Sequence, residues 1–189
     1  KRYREFLKFC VCGLFYQAGI AVVITLSAVY AQLVMKFTTA QTITLILVVN
    51  ITAAIGAFVF GYVQDRLGHK KTLALTILLW IIMGVMAAFS HGPVSFWIAA
   101  NIAGIAMGSS QSAGRAVVAV FAPAGELAQF YSAWNVAVWG ANVLGPITYG
   151  TVTWLTSGDQ RTAILVTTLF FVIGLLILRR VHLPSKTVC

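Results

Sequence analysis

The sequence predicts an all-α membrane protein built as a bundle of six transmembrane helices, and its composition and apolar patterning both support this. Of the 189 residues, 60% are hydrophobic and only 9% are charged, whereas roughly 25% of an ordinary soluble domain is charged. The apolar residues form six stretches of about 20 or more residues, the length of a helix that crosses a ~30 Å hydrocarbon layer. A soluble fold is nearly excluded, because too few ionisable side chains are available to cover its surface.

Each predicted span is delimited by turn or charge chemistry. The first follows a basic segment and ends before Lys36, the second ends at the charged stretch 64–71, and the third ends at His91-Gly92-Pro93. The fourth ends at Pro123 and Gly125, and the fifth ends at the polar stretch 157–161, which leads into the sixth. We expect one six-helix transmembrane domain over residues 1–189, with spans at about 6–34, 41–63, 72–90, 95–120, 128–155 and 162–181.

The distribution of basic residues predicts the orientation of the bundle. The net charge of +9 is consistent in principle with nucleic-acid binding, but the Lys and Arg residues lie at the ends of apolar runs and not among solvent-facing aromatic residues. We therefore expect no nucleic-acid partner. An even number of spans puts both termini on one side, and only Lys36 and Arg161 of the 13 Lys and Arg residues lie on the other side. The excess of cationic residues on untranslocated loops predicts cytoplasmic termini in a multi-pass protein of the bacterial cytoplasmic membrane.

The sequence offers no residues for catalysis or for a cofactor. Its three cysteines do not form a disulfide framework or a metal-ligand spacing, and no nucleophile with a base lies within the spans. We predict no catalytic residue, no metal and no cofactor, so an enzyme is not expected. All four carboxylates and all three histidines lie in loops or at span ends, which leaves no embedded proton carrier in these spans.

The polar residues within the spans are unevenly distributed. The third and sixth spans carry no amide or charge in their cores and are predicted to face lipid, whereas the first, second, fourth and fifth carry amides or tyrosines. The predicted substrate cavity consists of Tyr16, Gln17, Asn101, Gln111, Asn135, Trp139 and Asn142.

Helical spacing arranges these residues into stripes. On the fifth span, Asn135, Trp139 and Asn142 share one face, and a stripe on the first span begins at Tyr16 and reaches Tyr30. The fourth-span face runs from Asn101 through Gly104, Gly108 and Gln111 to Arg115, and its two glycines predict close approach of a neighbouring helix.

Simpler roles remain open for several of these side chains. Any single amide can serve only to hold two helices together, at about 1 kcal/mol or less. Trp80, Trp97 and Trp154 are expected to be anchors at the membrane interface.

The connection between the second and third spans carries a distinctive motif. It reads Gly61-Tyr62-Val63-Gln64-Asp65-Arg66-Leu67-Gly68-His69-Lys70-Lys71 and resembles the G-x-x-x-D-R-x-G-[RK]-[RK] signature of the major facilitator superfamily, with His69 as the one departure. This resemblance implies one six-helix half of a major facilitator fold. It also implies a conformational latch formed by Gly61, Asp65, Arg66, Gly68, Lys70, Lys71 and Arg115.

Three further segments resemble the C-terminal half of the vacuolar amino-acid-effluxer-like permeases. They are Phe15-Tyr16-Gln17-Ala18-Gly19, the stretch 108–115 with Pro123, and Glu126 to Tyr131 leading to Leu144-Gly145-Pro146. The family commonly has acids at the places that Ala18 and Gln129 occupy here, so the ionisable groups at those places are absent.

We therefore expect half of a secondary transporter or facilitator that moves a small polar metabolite by alternating access, with an amino acid as the substrate that the resemblance implies. The alternative is a non-transporting membrane scaffold or assembly factor with a similar bundle. The expected partners are the lipid bilayer, a small-molecule substrate, and either an N-terminal six-helix half or a second copy in a homodimer. The first residue, Lys1, favours a fragment of a longer protein.

Overall fold

The structure, a computed structural model, describes residues 2–184. This part of the chain forms six α-helices and no strands, which confirms the predicted all-α six-helix bundle. The helices are α1 (Arg2–Leu33), α2 (Thr39–Leu67), α3 (His69–Ala88), α4 (Pro93–Phe121), α5 (Leu127–Leu155) and α6 (Gln160–Arg180).

Local capping chemistry sets where several helices begin. Thr38 and Gln41 form a capping box before α2, Pro93 opens α4 at a position that needs no N–H donor, and Asp159 accepts the Arg161 N–H before α6 at 2.9 Å. Hydrogen bonds to the Asp159 carboxylate, the one from the Thr162 hydroxyl foremost, lower the pKa of that group. The helices extend up to four residues beyond the predicted spans. The spans were predicted from apolar residues alone, whereas the helices continue through polar residues as far as their caps.

The helices pair in a crossed order. Helix α2 packs mainly along α4, and α1 packs mainly along α5. Helix α3 packs on α4, α6 packs on α1, and α3 and α6 pack on each other. Each pairing has a counterpart when α1, α2 and α3 are replaced by α4, α5 and α6: α2–α4 corresponds to α5–α1, and α3–α4 corresponds to α6–α1. The bundle therefore consists of two three-helix repeats, α1–α3 and α4–α6. The first repeat begins at the end of the bundle that holds the termini and the second begins at the opposite end, so the repeats are inverted.

Small residues bring the paired helices into backbone contact. A Cβ added at Gly108 of α4 would overlap the carbonyl oxygen of Ala53 on α2. One added at Gly145 of α5 would overlap the carbonyl oxygen of Ala18 on α1. Between apolar helices in lipid, such close approach and the dispersion contact it allows drive association. The predicted small-residue contact of Gly104 and Gly108 is present, and it joins α4 to α2.

Cationic side chains satisfy the carboxyl ends of neighbouring helices. Arg161, at the start of α6, donates to the carbonyl oxygens of Ala88, the last residue of α3, and of Ser90 just after it, at 3.2 and 2.8 Å. Lys70, at the start of α3, donates in turn to the carbonyl oxygens of Arg179 and Val181 at the end of α6, at 3.1 and 2.6 Å. The antiparallel pair α3–α6 is thus capped reciprocally, with cations at the negative ends of the helix dipoles.

Trp80 of α3 is buried, which corrects its expected role as an interface anchor. Its indole stacks on Phe171 of α6 with ring centroids 5.2 Å apart, and its Nε1–H donates to Ser110 Oγ of α4 at 3.2 Å. The indole lies where α3, α4 and α6 meet, so it packs the bundle together. Apart from Lys71, Arg179 and Arg180 at the helix ends, the exposed side chains of α3 and α6 are apolar, as expected of helices that face lipid.

By length and composition, four helices within residues 2–184 qualify as membrane spans: α1, α2, α3 and α6. Helices α4 and α5 have 29 residues each, as long as α2. They carry Asn101 and Gln111 on α4 and Asn135 and Asn142 on α5, and these amides lower their hydropathy.

We expect Gly108→Ala to lower the melting temperature of the purified protein, because the added methyl group must push the α2 backbone away. Overpacking of this kind costs about 1–3 kcal/mol. The matched control is Gly150→Ala on α5, where an added Cβ meets nothing within 4 Å. That change should be neutral or stabilise the helix by up to about 1 kcal/mol. Equal melting temperatures for the two variants would contradict the close α2–α4 contact.

We expect Arg161→Met to destabilise the protein by about 1.5–3 kcal/mol, because two carbonyl oxygens lose a charged donor. Arg161→Lys should retain part of the stability. Arg180→Met, at an exposed position on the last turn of α6, serves as the control. Thermal unfolding of the three variants tests this, and equal stability of Arg161→Met and Arg180→Met would show that the cap contributes nothing.

Candidate substrate site

An amide pair joins the two central helices. Gln17 of α1 is 4% exposed, and its Oε1 accepts a hydrogen bond from Gln111 Nε2 of α4 at 3.3 Å. Helices α1 and α4 each pack mainly on other helices. They also meet through aromatic contacts such as that of Tyr30 with Phe96. The amide pair adds a polar link between the first helices of the two repeats.

Tyr16 lies in the packed core, which corrects its expected place in the substrate cavity. Its ring is fully buried beside Trp134 of α5, with centroids 6.2 Å apart, and its backbone and Cβ lie against Gly174 of α6. The stripe that includes Gly19 also packs inward, because a Cβ added at Gly19 would meet the Phe171 ring. Tyrosines and glycines at helical spacing here mark a packing face.

A cavity of about 290 Å³ is lined mainly by α1, α2, α3 and α4, with one residue each from α5 and α6. Most of its lining is apolar, and Trp80, Met83, Phe96 and Met107 are prominent in it. Asn50 of α2 is also among its lining residues. Met107 precedes Gln111 by one helical turn, so the cavity and the Gln17–Gln111 pair are neighbours along α4. The sequence did not predict this cavity or the position of Trp80 in its lining, since nothing in the third span distinguished a buried indole from an interfacial one.

The remaining predicted amides lie on open helix faces. Asn135, Asn142 and Trp139 are exposed on α5, with the Trp139 indole 69% exposed. Within residues 2–184, no protein group forms a hydrogen bond to the side chains of Asn135 or Asn142. Asn101 is half-buried, and its Nδ2 donates to the Trp97 carbonyl oxygen of its own helix at 2.8 Å. Amides exposed on long apolar helices need a polar neighbour outside the bundle.

The signature connection is a sharp turn of one residue. Gly68 alone separates α2 from α3, with φ +81° and ψ 158°, and its N–H donates to the Gln64 carbonyl oxygen at 2.9 Å. Asp65, Arg66 and Lys71 are exposed. Lys70 donates a hydrogen bond to the carbonyl oxygen of Val181 at the end of α6. Gly61 is surrounded by open space, since a Cβ added there would meet nothing within 4 Å.

The charged residues assigned to the latch are not joined in this structure. Throughout residues 2–184, the ion pair is that of Glu5 with Lys8, the His182 imidazole lies 3.5 Å from the same carboxylate, and Asp65, Arg66 and Arg115 form no ion pair. Arg115 is exposed on α4, and its carbonyl oxygen accepts a hydrogen bond from the Tyr131 hydroxyl at 3.0 Å. The latch therefore remains a prediction.

The fold and the motif together define one half of a major facilitator transporter. The profile of the family described as "Vacuole effluxer Atg22 like" matches residues 1–188. The chain belongs to this family.

Relatives and solved structures agree with that assignment. An uncharacterized MFS-type transporter of Bacillus subtilis (strain 168), YxiO, is 27% identical over 187 residues, which cover 99% of this chain and 43% of the relative. The xylose transporter XylE from E. coli, in an inward-open conformation, superposes with a TM-score of 0.79 at 19% identity, over 97% of this chain and 48% of XylE.

The fucose:proton symporter FucP of E. coli gives the same TM-score of 0.79 at 18% identity, over 95% of this chain and 43% of FucP. These structural likenesses concern the fold alone. The chain spans less than half the length of each of these three proteins.

We expect Gly68→Ala to destabilise the protein, because a residue with a side chain at φ +81° and ψ 158° is strained by about 1–3 kcal/mol. Gly61→Ala should leave the melting temperature unchanged, because open space surrounds that position. Thermal unfolding of both variants distinguishes the two positions. A Gly68→Ala protein as stable as Gly61→Ala would contradict the observed turn.

Proposed function

We propose that this chain forms one half of a membrane transporter that moves a small polar metabolite, with an amino acid as the preferred candidate. Substrate passes along the faces of α1, α4 and α5 that carry Gln17, Gln111 and Asn142. The observation that carries the proposal is the exposure of the α5 amides, which lack a protein partner within residues 2–184. A bundle that served only as a scaffold would gain stability by replacing them with apolar residues.

The chemistry of the site favours an uncharged or zwitterionic solute. Amides donate and accept hydrogen bonds without carrying charge, so they can hold ammonium, carboxylate or hydroxyl groups in turn. The apolar cavity beside Gln111 offers space for a non-polar part of the same molecule. Trp139 on the exposed face of α5 adds a flat, partly polar surface.

A second six-helix unit completes the proposed transporter. It is either an N-terminal half or a second copy of this chain, because the two halves of such transporters are parallel repeats that rock around a substrate near the membrane midplane. Both termini face the cytoplasm in this proposal, since the helix ends on their side carry most of the cationic residues. The membrane is the cytoplasmic membrane of a bacterium.

The membrane spans of this half carry no residue to which we assign the coupling of transport to an ion. Glu5, Asp65, Glu126 and Asp159 are the carboxylates of the chain, and they lie at helix ends or in connections. A proton carrier would need an ionisable group within the spans. We propose that coupling resides in the other half or that transport is uncoupled.

We expect Asn142→Leu and Gln111→Leu each to reduce transport by about tenfold or more, as loss of one hydrogen bond to a buried polar substrate costs about 1–3 kcal/mol. The assay measures uptake of a mixture of labelled amino acids into proteoliposomes that contain the whole transporter. Asn142 is the cleaner test, because its exposed side chain packs on no helix that would be disturbed.

Gln32→Leu is the matched control, because it removes an exposed amide at the end of α1 and should leave uptake unchanged. Membrane insertion of all variants is measured in parallel. Unaltered uptake in both Asn142→Leu and Gln111→Leu would remove these residues from the site. Absence of amino-acid uptake by the unmodified transporter would overturn the preferred substrate.

A further inference from the structure

A basic cleft opens at the end of the bundle where the termini lie. Its volume is about 670 Å³, and it lies among the start of α1 and the ends of α4 and α6. Its lining residues are Arg2, Arg4, Glu5, Lys8, Phe121, His182 and Pro184. This cleft lies at the opposite end from the connections 34–38 and 89–92, and it takes no part in the proposed transport path.

The cleft carries a net positive charge. Three of its side chains are cationic at neutral pH, and Glu5 is its one carboxylate. Both oxygens of Glu5 are already engaged, Oε1 by Lys8 and Oε2 by the backbone N–H of His182 at 2.8 Å. The remaining positive charge therefore lacks a counter-ion from the lining residues.

Donor groups in the cleft remain available to a ligand. The Nε and Nη2 groups of Arg2 donate to carbonyl oxygens at the end of α4, at 2.6 Å to Phe121 and 2.8 Å to Ala122. These bonds hold the guanidinium in place and leave its Nη1 group without a bond to the described residues. Arg4 is exposed, and Lys8 uses one of its three donors on Glu5.

The position of the cleft matches the depth of lipid headgroups. The predicted apolar spans begin at Phe6 and end at Val181, so Arg2, Arg4 and His182 flank the hydrocarbon layer. Phosphates of membrane lipids lie just outside that layer, and basic pockets between helices recognise them. Pro184 adds an apolar side chain to the lining of the same cleft.

We propose that this cleft binds the phosphate headgroup of an anionic phospholipid. Arg4 and Lys8 contact the phosphate, and Arg2 presents its remaining donors from a fixed position. The lipid bridges the ends of α1, α4 and α6. Free inorganic phosphate offers similar chemistry, but it lacks the acyl chains that would anchor a lipid in the adjoining hydrocarbon.

The test measures lipid binding to the purified whole transporter by mass spectrometry of the intact protein in detergent. Phosphatidylglycerol and phosphatidylcholine are added separately, and dissociation constants are compared. We expect the unmodified protein to prefer phosphatidylglycerol. Arg4→Gln should reduce that preference about fivefold, and Arg4→Gln with Lys8→Gln by about tenfold or more, as expected for basic side chains near an anionic lipid.

The control is Lys71→Gln, which removes an exposed cation at the same end of the bundle but outside the cleft. An equal loss in this control would overturn the proposal, because diffuse charge would then account for binding. Displacement of the lipid by millimolar inorganic phosphate would also overturn it. Arg4→Gln removes an exposed side chain, so an unchanged melting temperature is expected and lipid binding can be measured on the folded protein.

Discussion

The bundle depends on backbone contact between helices that are not neighbours in sequence. In a bilayer, burial of apolar side chains gives helices little reason to associate, so close approach and polar contacts must hold them. Gly108 and Gly145 permit this approach for the α4–α2 and α5–α1 pairs, respectively. The crossed pairing leaves α1 and α4 facing each other across a gap, which the Gln17–Gln111 hydrogen bond bridges within the bundle and the Arg2–Phe121 hydrogen bond bridges at its end. The candidate substrate site follows from this gap.

The ends of the helices impose a second constraint. Terminal carbonyl groups lack partners within their own helix and are costly if left unpaired near the hydrocarbon layer. The protein meets this need with cations from other helices, as Lys70 and Arg161 show for α3 and α6. These bonds fix the outer pair of helices as one unit. A rigid unit of this kind is what a rocking half requires, because it can turn without changing its internal packing.

Much of the fold was predictable from the sequence, and the reasons for the remaining errors are physical. Long apolar runs and short connections located all six helices, and the stretch from Gly61 to Lys71 identified the superfamily. Hydropathy could not distinguish a helix face that packs on protein from one that faces lipid, since both are apolar. Trp80 was misplaced for this reason. Tyr16 was misplaced because its hydroxyl group was taken to mark a water-lined face, and both residues proved to be core residues. The role of Lys70 as a cap also depends on α6, which lies far from it in the sequence.

The Arg2 side chain gives the bundle a mechanical link of its own. Its guanidinium donates to the carbonyl oxygen of Phe121, a residue 119 positions further along the chain. The first turn of α1 and the corner between α4 and α5 are thereby clamped together. Displacement of the first turn of α1 is therefore coupled to the end of α4, the helix that carries Gln111, without any direct covalent connection between the two segments.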